Sequence, residues 1–157
     1  TRSCGFSGMA EYDTIGEIKQ AVSIPVIANG DIDSAKKALQ VLQQTGADGL
    51  MIGRAAQGRP WIFREIGHYL ATGEELTEPA PCWVRDLLSE YLGDLYRFYG
   101  EYQGVRVARK HIAWYSKGQP GGNRFRQRIN NIDTSGEQLD LIREFFDRLD
   151  NPKDLAA

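Results

Sequence analysis

The sequence predicts an α/β segment, the closing two β/α units of a parallel barrel, followed by an all-α helical bundle. Three observations carry that prediction. Two short apolar runs, residues 24–28 and 49–52, each lead into a glycine-bearing loop and alternate with stretches of helical periodicity. Such alternation marks a parallel sheet with helices packed on it, its strands buried on both faces. After residue 83 the strand-like runs cease and only helical spacing remains. Between the two regions lies GEELTEPAPCW (73–83), whose three acids and two prolines read as a boundary. The division falls at 79/80, giving 1–79 as barrel segment and 80–157 as helical domain.

The elements follow in order. In DTIGEIKQAV (13–22), Ile15, Ile18 and Val22 recur at spacings of three and four, as on one face of a helix. SIPVIANGD (23–31) is a short strand running into Asn-Gly-Asp. In DSAKKALQVLQQTG (33–46), Asp33 or Ser34 can cap a helix, Ala35, Ala38, Leu39 and Leu42 line one face, and Gly46 supplies a left-handed stop. ADGLMIGRAAQGRPWIF (47–63) holds the second strand, the Gly53-Arg54 loop, and Pro60 opening a helix through Tyr69. In the second region, Val84, Leu87, Leu88, Tyr91, Leu95 and Phe98 predict a helix ending at Gly100. Val105, Ala108, Ile112 and Tyr115 predict another, and residues 124–132 a third. A fourth begins at a capping box, Thr134 with Glu137 or Ser135 with Gln138, and buries Leu139, Ile142, Phe145, Phe146 and Leu149. Short connections make these an antiparallel bundle.

Composition narrows the class. At 41% hydrophobic and 25% charged, the 157 residues can form ordinary globular cores. No run of about 18 apolar residues is present, and Thr1 opens no charged-then-apolar leader, so neither a membrane span nor a signal peptide is expected. Cys4 and Cys82 lack metal-ligand spacing and are expected as free thiols in a cytoplasmic protein. A closed barrel needs roughly 250 residues, so the chain should hold about its last quarter, with Thr1 inside a larger protein. The net charge of -2 is unevenly spread. From Arg97 to Arg128 there are eight basic residues against one acid, Glu101, and from Ile129 onward seven acids against three bases. That segregation suggests an anionic partner.

Barrel enzymes place their chemistry at the carboxyl ends of strands, and loops after the last two strands often hold a phosphate through backbone N–H groups. Here those positions carry Ala28-Asn29-Gly30-Asp31 and Gly53-Arg54-Ala55-Ala56. Glycine lets backbone approach a ligand, the Asn and Asp side chains can bond polar atoms of the ligand or of their own loop, and the guanidinium can neutralise a phosphate. Together the loops point to a phosphorylated cofactor.

The strings Pro25-Val26-Ile27-Ala28-Asn29-Gly30-Asp31-Ile32 and Gly46 through Phe63, with Arg106-Val107-Ala108-Arg109-Lys110-His111, resemble the tRNA-dihydrouridine synthases, most nearly their bacterial type B branch. The resemblance covers nearly the whole chain. It implies a TIM barrel that binds FMN, uses NADPH as reductant, and reduces uridine in tRNA to 5,6-dihydrouridine, with hydride passing from reduced flavin to C6 and a protein acid protonating C5. It assigns Asn29, Gly30, Asp31, Gly53 and Arg54 to FMN. The family's cysteine proton donor and its flavin-contacting Lys and His precede this segment, so no catalytic residue is expected in the chain. Cys4 matches no catalytic motif, and His68 reads as a helix-surface residue.

Arg106, Arg109 and Lys110 fall within one quadrant of a helix, with Ala108, Ile112 and Tyr115 beside them. The resemblance, in which a C-terminal helical domain grips tRNA, makes these three the RNA-binding candidates, while Trp114 and Tyr115 read as core. The chain alone is expected to be inactive and to bind FMN weakly or not at all. Its barrel edges should seek the missing N-terminal barrel half or a second copy. Two other readings remain: an FMN barrel oxidoreductase acting on a small metabolite, and a stand-alone RNA-binding module.

Overall fold

A computed structural model describes residues 8–151 as two compact units, divided between Leu76 and Thr77. Cys4 lies outside the described residues. In the first unit the order is α1 (Tyr12–Ala21), β1 (Ile27–Asn29), α2 (Ala35–Thr45), β2 (Gly49–Met51), a 3-10 turn (Arg54–Ala56) and α3 (Ile62–Thr72). The two strands pair in parallel with Ile27 opposite Gly49, Ala28 opposite Leu50 and Asn29 opposite Met51. Ser34 caps α2 by accepting the Lys37 N–H, and Gly46 ends it in the left-handed conformation, as its sequence predicts.

The core of this unit gathers Tyr12, Ala28, Ile32, Ala35, Ala38, Val41, Ile62 and Ile66, with Leu50 and Ile52 packed against it. Side chains alternate across a strand. Ala28 and Leu50 therefore share the covered face, and Ile27, Asn29 and Met51 share the other. On that second face Ile27 is 57% exposed and Met51 52%. Strands buried on both faces were the expectation; among the described residues helices cover only one.

Helix α1 also departs from its apolar pattern. Tyr12 and Gly16 are its buried residues, whereas Ile18 and Val22 face solvent. Gly16 lies against the last turn of α2, where a Cβ would stand 3.6 Å from the Gln44 carbonyl oxygen. Lys19 and Asp48 join at 2.7 Å, and Asp48 also accepts the Val26 N–H at 2.7 Å. The Lys19 ammonium and then that N–H hold the Asp48 carboxyl below its ordinary pKa.

The second unit is helical: α4 (Pro81–Tyr115), α5 (Gly122–Ile129) and α6 (Ser135–Asp150). Gly100 breaks α4 with φ 72° and ψ 171°, a region open essentially to glycine. The break reverses the chain. Along a straight helix residues 91 and 111 would lie about 30 Å apart, yet the Tyr91 and His111 rings meet at 5.3 Å. Gly104 allows the close approach, since a Cβ there would lie 3.2 Å from Tyr96 Cα. Helix α6 runs antiparallel to the first arm, with Arg85 on Asp147 at one end and Tyr96 Oη donating to Gln138 Oε1 (2.8 Å) toward the other. Fully buried Gln138 donates in turn to the Val105 carbonyl at 3.2 Å. Phe125 and Phe145 stack at 4.1 Å to seat α5 on α6. The cap of α6 is Thr134, which accepts the Glu137 N–H and donates its hydroxyl to Glu137 Oε2 at 2.8 Å.

Candidate functional site

Both glycine loops leave the same, carboxyl-terminal edge of the two-stranded sheet, because the strands are parallel and adjacent. Asn29 ends β1 and donates through Nδ2 to the Met51 carbonyl at 2.9 Å, tying the two strand ends together. Gly30 has φ 129°, and a Cβ on it would stand 2.6 Å from Ala10 Cβ. Its carbonyl accepts the Tyr12 hydroxyl at 2.9 Å. Burial, and then Asp31 and Asp33, push the Tyr12 phenol above its ordinary pKa, so it stays a donor. Asp31 is left-handed at φ 46°, a conformation that Asp tolerates better than most residues. Its Oδ2 accepts the Ala10 N–H at 2.8 Å, and its Oδ1 lies 3.4 Å from the Arg54 guanidinium.

The second loop is open where the first is packed. A Cβ on Gly53 would meet nothing within 4 Å. Arg54 begins the 3-10 turn with its side chain mostly exposed. Behind it Arg59 donates to the Asp33 carbonyl (3.2 Å) and pairs with buried Glu65 (2.6 Å), which bridges the loop after β1 to the first turn of α3. The structure thus brings Asn29, Gly30, Asp31, Gly53 and Arg54 together at one edge. It adds Tyr12, Arg59 and Glu65 as supports that the sequence did not single out. Tyr12 had a signal, since it stands three residues before Ile15 and so shares its helix face.

The three basic candidates of α4 separate. Arg106 and Lys110 are exposed. The Arg106 guanidinium lies 3.7 Å from the centre of the Tyr102 ring, and Lys110 Nζ lies 5.2 Å from that of Trp114. Arg109 turns inward, donating to the Ile132 carbonyl at 2.8 Å and Asp133 Oδ1 at 3.0 Å. It ties α4 to the α5–α6 connection. Trp114 and Tyr115 are half-buried. Among the described residues, no helix is long and apolar enough to cross a membrane.

Comparison with known proteins supplies the family. The chain is 56% identical over 149 residues to the tRNA-dihydrouridine synthase B of Xanthomonas axonopodis pv. citri, covering 95% of this chain and 45% of that protein. It is 58% identical over 146 residues to the namesake of Pseudomonas putida, covering 93% and 43%. Against that of Pseudomonas aeruginosa it is 54% identical over 158 residues, covering 100% and 48%. The chain therefore spans less than half the length of the curated relatives it matches. Residues 1–150 match the dihydrouridine synthase (Dus) family, and by that match and these identities the chain belongs to it.

Proposed function

We propose that this chain forms the closing two β/α units and the helical domain, divided near residue 79, of a cytoplasmic flavoenzyme that reduces uridine in tRNA to 5,6-dihydrouridine with NADPH. The observation that carries the reading is the convergence of Asn29-Gly30-Asp31 and Gly53-Arg54 at the carboxyl edge of two parallel strands. Ligands of β/α barrels bind at that edge.

The residues present suit the phosphate end of FMN. Open space at Gly53 admits a ligand to the backbone, and the first N–H groups of a helical turn have no partner within the turn. Arg54 supplies the charge for a charge-assisted contact. Asp31, fixed by the Ala10 N–H, holds the guanidinium at the site. Asn29 stands on the uncovered sheet face with Ile27 and Met51, the face a closed barrel would turn inward. When bound, the flavin supplies the reducing equivalents. What these residues do is seat it and order the loops around it, through Tyr12 on Gly30 and Arg59 on Asp33. The exposed face also accounts for the expectation that the chain alone holds FMN weakly and either joins the rest of its barrel or self-associates.

On the helical unit, Arg106 and Lys110 are the cations offered to tRNA phosphates, with Arg109 as the brace that positions their helix.

The test is flavin retention by the full-length protein. Arg54→Ala should weaken FMN by about 1.5–3 kcal/mol, the range for hydrogen bonds to charged groups. That is roughly a 10- to 150-fold rise in Kd. Retention equal to wild type would remove Arg54 from the flavin site.

A further inference from the structure

We infer that the second arm of α4 carries a stacking ladder for an unpaired stretch of RNA, built from Tyr102, Arg106, Lys110 and Trp114. The inference rests on the tRNA reading above and specifies which part of an RNA this surface takes. These four residues recur at every fourth position. Each step of four advances about 6 Å along the helix and turns it about 40° past a full turn, so neighbours touch and the row spans about 18 Å. At the stacked rise of about 3.4 Å per nucleotide that is room for about five nucleotides.

Along this row two aromatics flank two cations. The Arg106 guanidinium stands 3.7 Å over the centre of the Tyr102 ring, yet Tyr102 remains 69% exposed, which leaves ring surface open to a base. Lys110 Nζ lies 5.2 Å from the centre of the Trp114 ring, and the Trp114 and His111 rings meet edge to face with centroids 4.8 Å apart. Phe98, 80% exposed beside the Gly100 break, adds aromatic surface at the end of the hairpin where Tyr102 stands. The cations are available. Arg97, Arg109 and Arg128 are each paired with a carboxylate, while among the described residues none pairs with Arg106, Lys110, Lys117 or Arg124. Glu101, the one acid of the 97–128 span, is engaged by the Ser135 N–H and hydroxyl.

That mixture selects the occupant. An RNA duplex offers phosphates and 2′-hydroxyls but keeps its bases stacked inside, which would leave the aromatics unused. An apolar protein face would leave Arg106 and Lys110 desolvated without partners. An unpaired strand presents both π-faces and phosphates, and it answers both halves of the ladder.

The experiment is fluorescence anisotropy on the full chain with three probes: a tRNA transcript, a short oligouridylate, and an RNA duplex of the same length. Wild type should prefer the oligouridylate over the duplex. Tyr102→Leu, at an exposed position, should melt as wild type does, weaken oligouridylate by about 5- to 140-fold, and leave the salt dependence unchanged. Tyr102→Phe should bind as wild type. Lys110→Gln and Arg106→Gln should each lower the slope of log affinity against log salt by about 0.7. Equal affinity for duplex and oligouridylate, with Tyr102→Leu silent, overturns the ladder and leaves the tRNA reading standing. No binding of any RNA by wild type at low salt overturns both. A concentration-dependent dimer dispersed by Tyr102→Leu overturns the ladder in favour of a contact between copies.

Discussion

Gly100→Ala isolates the backbone residue at which α4 reverses. A Cβ at this position meets nothing within 4 Å, so no steric collision contributes. The cost is conformational: φ 72° with ψ 171° lies in a region that other residues occupy only under strain of about 1–3 kcal/mol. Alanine also narrows the unfolded ensemble, which offsets about 0.4–1 kcal/mol. The net loss should be about 1–2 kcal/mol, and a unit of this size loses roughly 4–8 °C of melting temperature per kcal/mol. Relief by straightening α4 is available only if the arms exchange with another molecule, because straightening separates Tyr91 from His111 and Gly104 from Tyr96. Calorimetry with light scattering on the eluting peak reads both routes. The expected outcome is a melting temperature lowered by roughly 5–15 °C, or a domain-swapped dimer. A monomer melting as wild type does would refute the reasoning, since the turn would then not depend on glycine.

Arg109→Ala should cost about 1.5–3 kcal/mol in urea melts through loss of the charged contact to the Ile132 carbonyl. Arg109→Met, which keeps the apolar stem and removes a buried Nε that has no partner among the described residues, should cost less; Asp133 is largely exposed and adds little. Neither variant should change the salt dependence of tRNA binding, and a lowered slope at unchanged stability would return Arg109 to the RNA face. His111 sets a pH dependence: partial burial, and then Lys110, lower its pKa below the ordinary 6.5. A base with a lowered folded pKa binds protons more readily when unfolded, so stability is full above about 6.5 and declines as pH falls through 6.5 toward the folded value. Relative to His111→Gln, the wild type should lose melting temperature as pH falls across that window; parallel curves would contradict the shift.

How far the fold was legible depended on whether the physics that decides it is local. Ser34, Gly46 and the Thr134–Glu137 pair could be read because caps act within one turn, and their roles hold in the structure. The buried faces were less legible because packing is decided by the partner. Gly16 carries no side chain and so is silent in any apolar pattern, yet it is buried because α2 approaches α1 there. Val41, and not Leu39 or Leu42, is fully buried on α2. Gln138 was invisible for the opposite reason: it is polar, and its burial is tolerated only because Tyr96 and the Val105 carbonyl satisfy it. The apolar runs predicted strands correctly, but a run of Ile and Val says only that a face avoids water, not which chain segment covers it. Ile27 and Met51 show the difference.

The two glycine loops were legible because each carries its chemistry on consecutive residues, and parallel adjacency of the strands then brings them together. Their supports were not, because Arg59 acts on a backbone carbonyl at Asp33, and a carbonyl has no identity in a sequence. Arg109 was grouped with Arg106 and Lys110 by angle, by the basic excess around them and by the family resemblance, none of which registers what packs against the helix. The same wheel places it only about 40° from Val105, on the flank nearest the packed side, whereas Lys110 lies about 140° from Val105. A long cation on such a flank reaches whatever element is packed there, and here that is the α5–α6 connection. Among the described residues, the cations one step further round bond only within their own helix, Arg106 to the Tyr102 carbonyl and ring and Lys110 to the Trp114 ring. Position on the wheel relative to the core, not residue type, separates the brace from the exposed cations.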